Sequence, residues 1–113
     1  MSDTQPSRGV IAPGRAEPLT DLLALQSHSI ASRVIARSTG GNVTLFAIDA
    51  GEGLSEHSAP FDALVIVVEG EMRITVGGTP TTAVAGSVVL MPANVPHALD
   101  AQAPSRMLLV MLK

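Results

Sequence analysis

From Ile30 onward, apolar residues arrive in short runs rich in Val, Ile, Leu and Thr, and each run is closed by Gly, Pro or Asn. Runs of four to eight residues between such breakers are the pattern of β-strands. The rhythm predicts strands over Ile30–Arg37, Val43–Asp49, Asp62–Glu69, Glu71–Val76, Thr81–Val84, Ser87–Met91, His97–Ala101 and Met107–Leu112. Gly40-Gly41-Asn42, Glu69-Gly70, Gly77-Gly78 and Ala85-Gly86 supply the turns. No helical period persists beyond residue 27, so the fold class is all-β, a sandwich or a barrel.

The N-terminal part reads differently. Met1 to Pro18, punctuated by three prolines and two glycines, reads as a flexible arm. Leu19 to Gln26 predicts one short helix, capped by Thr20 or Asp21, with Leu19, Leu22, Leu23 and Leu25 as its apolar face. One domain over residues 19–113 is expected from a chain of 113 residues.

Several strands do not alternate. Leu64 to Val68 and Leu108 to Leu112 are apolar on both faces. One face lines the interior, and the other needs a second sheet or a second subunit. Charged residues make up only 15% of the chain, which also argues for buried surface. A homodimer is expected.

Composition removes several functions. The net charge is −3 and no Lys/Arg cluster occurs, which speaks against nucleic acid and anionic membranes as partners. The absence of cysteine excludes a thiolate metal site and a cysteine nucleophile. Two Phe, no Tyr and no Trp leave no stacking platform. The longest apolar run, Ala63 to Val68, is too short to span a bilayer, and Met1 to Pro18 lacks a signal-peptide apolar region, so a cytoplasmic location is expected.

The chemistry lies in two stretches. Gly51 is followed after five residues by His57, then by Ala59, Ala63 and Gly70 at spacings of one, three and six. Gly86 is followed after five residues by Pro92, then Asn94, His97 and Ala101. These spacings resemble the two cupin motifs, G-x5-H-x-H-x3-E-x6-G and G-x5-P-x-G-x2-H-x3-N. Glu56–Asp62 (EHSAPFD) and Met91–His97 (MPANVPH) are similar to a subset of short single-domain cupins of the conserved-barrel type. The resemblance, over about residues 30 to 112, implies a double-stranded β-helix barrel with His57 and His97 facing one pocket. Asn94 stands where the family has glycine, and asparagine is the next best residue for a left-handed turn.

The departures narrow the function. The resemblance implies a metal held by three His and one Glu, but Ala59 and Ala63 occupy two of those positions. His57 and His97 remain as metal-ligand candidates, and a divalent transition metal held by two imidazoles would be held weakly. Asp62 and Glu56 are each one residue out of phase, pointing away from the pocket unless a bulge intervenes. The leading expectation is a small-molecule-binding barrel in which His57 and His97 contact an anionic or carbonyl ligand, with Phe61 and Met91 as further ligand-binding candidates. The alternatives are a metal-dependent enzyme of oxygenase or isomerase type with an incomplete two-His site, and a vestigial structural barrel. His28 reads as a turn residue, and Ser55 and Ser58 show no nucleophile spacing.

Overall fold

The computed structural model describes residues 10–113. Nine strands form: β1 (Ile30–Ser38), β2 (Gly41–Ile48), β3 (Gly53–His57), β4 (Asp62–Glu69), β5 (Glu71–Val76), β6 (Thr79–Val84), β7 (Val88–Met91), β8 (His97–Ala101) and β9 (Ser105–Leu112). They make two antiparallel sheets, one in the order β1-β2-β9-β4-β7 and one in the order β3-β8-β5-β6. The chain passes repeatedly from one sheet to the other, which is the jelly-roll arrangement of a double-stranded β-helix barrel.

The interior follows from strand parity. In the five-stranded sheet Val65, Val67, Met91 and Met107 point inward, and in the four-stranded sheet Met72, Ile74, Ala83, Leu99 and Ala101 meet them. All are small or flexible apolar residues, as expected of a chain with almost no aromatics. Phe46 and Leu109 pack at the margin of this cluster.

Ser105 is the buried polar exception. Its hydroxyl accepts from Glu71 N at 3.0 Å and donates to Ala103 O at 2.7 Å, so it is fully bonded within the β4–β5 and β8–β9 turns. Gly70, at φ +85, lies against it. A Cβ there would collide with Ser105 Oγ and Pro104 O, so the position requires glycine twice over.

The helix predicted over Leu19–Gln26 is a single 3-10 turn, Leu19–Asp21. Its N-cap is Pro18, with no side-chain bond to the first turn. The carbonyls of Leu22 and Leu23 are taken instead by guanidinium groups, Arg33 at 2.9 Å and Arg106 at 2.9 Å. So short a helix is marginal without packing on one face, and here the side chains of two strands take the carbonyls that a longer helix would bond. The arm read for residues 1 to 18 lies partly outside the described residues. From residue 10 onward the chain runs beside β1, with Ile11 N donating to Ile35 O at 3.0 Å. Arg106, also ion-paired to Glu69, ties this segment to β9.

Candidate functional site

Strand directions place one set of strand ends together: the last residues of β1, β3, β5 and β7 and the first of β2, β4, β6 and β8. His57 closes β3 and His97 opens β8, and the two are paired directly across the ladder. Regular alternation would not allow this. Leu54 and His57, three residues apart, would face opposite sides, whereas their partners Leu99 and His97 are two apart. A bulge between Leu54 and His57 absorbs the extra residue and turns both side chains inward. Sequence reading missed β3 altogether, because Gly-Leu-Ser-Glu-His has one apolar residue and no β-branched one. Motif spacing was the signal that located His57.

The two rings meet edge to face, centroids 4.4 Å apart and planes at 78°. His57 Nδ1 lies 2.8 Å from Ser55 O, His97 Nδ1 lies 3.2 Å from Val95 O, and the two Nε2 atoms are 3.2 Å apart. A carbonyl oxygen only accepts, so each Nδ1 carries its hydrogen and donates. In a neutral pair both Nε2 atoms then present lone pairs to each other, which repel. One added proton converts that contact into an N–H···N hydrogen bond.

His97 is 4% exposed and His57 is exposed. Burial pushes the His97 imidazole below its usual value of 6.5, the neighbouring His57 lowers it further, and the Val95 carbonyl opposes both. The buried His97 ring is therefore held toward its neutral form, which presents Nε2 as an acceptor toward His57.

The loops carrying the histidines are strapped together. Asn94 N donates to Ala59 O at 2.7 Å and Ala93 N to Asp62 Oδ1 at 2.8 Å. Asn94 has φ +64, the left-handed turn expected of the residue standing for glycine. Asp62 is exposed and orders the loop from outside the barrel. These backbone partners were invisible in the sequence, since any residue supplies a carbonyl or an N–H.

The other candidates sit as follows. Met91 is inside, in register with Ala63 at the end of the barrel that holds the histidines. Phe61 is half-buried in the loop after His57, with Lys113 Nζ 5.5 Å above its ring. His28 is far away, at the opposite strand ends, where its backbone N–H donates to Asp49 Oδ2 at 2.7 Å.

The donor set does not fit a resident metal. A tetrahedral ion with metal–nitrogen bonds of about 2.0–2.1 Å would hold two nitrogens about 3.3 Å apart, close to the spacing of this pair. Ala59 and Ala63 offer nothing further, however, and Asp62 is bonded to Ala93 on the outer side. Among the described residues no group of three or more His, Cys, Asp or Glu could hold an ion.

Comparison with known proteins agrees with this geometry. The family model of the cupin domain matches residues 44–112, which span both motif stretches and seven of the nine strands in full. The chain is a cupin. An uncharacterized protein of Streptomyces coelicolor is similar to it, 41% identical over 61 residues that cover 54% of this chain and 58% of that relative. The match therefore spans little more than half of that relative's length. Two solved structures superpose over nearly the whole cupin. A conserved protein of unknown function from Streptococcus pyogenes has a TM-score of 0.88 at 29% identity, covering 98% of this chain and 97% of its own. A cupin superfamily protein from Desulfitobacterium hafniense has a TM-score of 0.84 at 27% identity, covering 92% and 94%. Among the described residues of this cupin no helix is long and apolar enough to cross a membrane.

Proposed function

We propose that this cupin binds a small organic molecule at the histidine end of its barrel, through an anionic or carbonyl oxygen that meets the His57–His97 pair. The observation that carries the reading is the arrangement of four nitrogens. Both Nδ1 atoms face backbone carbonyls, and both Nε2 atoms converge at 3.2 Å.

Only one hydrogen fits between the two Nε2 atoms, because two Nε2–H groups would point at each other. An oxygen anion arriving at the exposed edge of His57 accepts that proton or a hydrogen bond from it. His57 is then free to turn its Nε2–H from His97 to the ligand. The same proton can be handed to an enolate or carbonyl oxygen and recovered, so the pair has the means for acid–base work as well as binding. Met91 and Phe61 border this end and supply apolar contact for the rest of the molecule.

The test is a calorimetric titration with small carboxylates, 2-keto acids and enolisable ketones, run on the parent, His57→Ala and His97→Ala. Binding to the parent that drops at least about tenfold in both variants supports the reading. Ligands that bind all three proteins equally would refute it.

A further inference from the structure

Lys113 is the chain's single lysine, and two contacts define its place in the fold. Its backbone N–H donates to Gly40 O at 2.9 Å, one rung beyond the Gly41–Leu112 pair of β2 and β9. Alternation therefore sends its side chain to the side of Met111, which pairs with the buried Ala63 on the inner face. The ammonium lies 5.5 Å from the centre of the Phe61 ring. Phe61 belongs to the loop that leaves His57, and Ala59 and Asp62 strap that loop to the one entering His97. The end of β9 thus brings a cation to the rim of the histidine pocket.

This cation has no counter-ion. No carboxylate among the described residues pairs with it. Asp62 is the nearest in register, opposite Leu112, but its Oδ1 takes Ala93 N on the outer side. The Phe61 face attracts the ammonium and fixes a long, flexible side chain without neutralising its charge. Lys113 is exposed, so its three N–H donors face water and any anion that arrives through it.

We infer that Lys113 is a second anchor of the pocket, holding the carboxylate of a small oxo acid whose keto oxygen meets the His57–His97 pair. That ligand class rests on the two histidines binding an oxygen, as proposed, and adds what the rest of the molecule must carry. A neutral ketone uses the histidines alone. A molecule bearing both groups uses both anchors. One ammonium also matches the single charge of a carboxylate better than the double charge of a phosphate, which commonly draws on several donors.

The span between the anchors is bounded. Four residues separate His57 from Phe61, so their Cα atoms are at most about 14 Å apart. The ligand is therefore a short chain, and the position of the keto group that binds best measures the gap.

Proton NMR of the full chain reads both anchors, because the sequence holds two Phe and three His and no Tyr or Trp. The probes are acetate for the carboxylate, acetone for the carbonyl, and straight-chain oxo acids with the keto group at C2 to C6 for both. Sodium chloride and inorganic phosphate at matched ionic strength are the comparisons. Acetate is expected to shift the Phe61 ring signals, and acetone those of His57. The best oxo acid should shift both and bind at least about tenfold tighter than either half, since its second contact is made within the complex.

Lys113→Met keeps the apolar stem and removes the charge. It should abolish the Phe61 response to acetate and the tenfold gain, while His57 still answers acetone. Lys113→Arg should retain both. Arg73→Met makes the same change of net charge on the outward face of the four-stranded sheet, and it should leave every response intact. Melting temperatures verify that each variant is folded. A Phe61 ring that acetate moves no more than chloride does overturns the inference. So does a phosphate response larger than that of acetate, or an oxo acid that binds Lys113→Met as tightly as the parent. A His57 ring silent to acetone, with Phe61 still answering acetate, would refute the ligand reading of the histidines while upholding Lys113 as a carboxylate anchor.

Discussion

His57 and His97 are paired across β3 and β8 with their Nε2 atoms 3.2 Å apart, and only a bulge in β3 makes the pairing possible. Burial and the neighbouring His57 ring both disfavour the charged form of His97, so the buried ring of the pair resists protonation.

The pH dependence follows from His97. Its pKa is lowered from 6.5 by burial and by His57. The unfolded chain therefore binds this proton more readily than the folded one. Stability attributable to His97 is fully present above about pH 6.5 and declines as pH falls through that value, until the folded-state ring also titrates. Thermal melts from pH 8 down to pH 5 should show a loss of stability that is smaller in His97→Gln. NMR titration should place the His97 midpoint below 6.5, and a midpoint above it would contradict the assignment of His97 as the neutral acceptor.

The bulge can be tested separately from the histidines. Deleting Glu56 removes the extra residue of β3 and leaves Leu54 and His57 two apart, as their partners Leu99 and His97 are, so plain alternation keeps both side chains inward without a bulge. Leu54 packs against the core, so the expected outcome is an intact barrel in which His57 still faces His97 and ligand binding is retained. Calorimetry checks this, and binding that fell as far as in His57→Ala would show that the bulge itself shapes the site.

Much of this was legible in the chain. All eight strands read from the apolar rhythm exist, with ends displaced by at most two residues. Most are rich in branched apolar residues and bounded by glycine or proline, so local preference and tertiary burial agree. The two failures have one cause. Leu19–Gln26 has a helical apolar face, and Gly53–His57 has little strand character, yet in each case distant groups decide the conformation: Arg33 and Arg106 for the first, β8 for the second. At the site, the spacing located His57 and His97, but the carbonyls that orient them and the Asp62–Ala93 strap depend on backbone geometry that no residue type encodes.

The missing ligand positions make a prediction about metals. With Ala59 and Ala63 where two donors would be, the protein purified without added metal should contain well below one equivalent of any transition ion, and a chelator should leave its melting temperature unchanged. Restoring donors in an Ala59→His/Ala63→Glu variant should create zinc or nickel binding that stabilises the fold in proportion to ligand concentration. Calorimetry with the metal alone checks this, and near-stoichiometric metal in the parent would show that donors beyond these two histidines take part.

Asn42 carries a different cost. It is the second residue of β2, opposite Met111 on the inward side, and its Oδ1 is buried with no hydrogen-bond partner among the described residues. A buried acceptor left unpaired costs about 1–3 kcal/mol relative to a bonded one. Replacing it with an apolar side chain of similar size, Asn42→Leu, removes that cost and adds apolar contact beside Met111. The variant should melt several degrees higher than the parent, with histidine-dependent ligand binding unchanged. The opposite substitution at the other end of the barrel provides the contrast. Gly70→Ala forces a Cβ into Ser105 and Pro104 at a left-handed φ and should lose about 2 kcal/mol or more in a denaturant titration. If Asn42→Leu melted lower than the parent, the carboxamide would be bonded in solution, and a bound water at Oδ1 would be the first partner to look for.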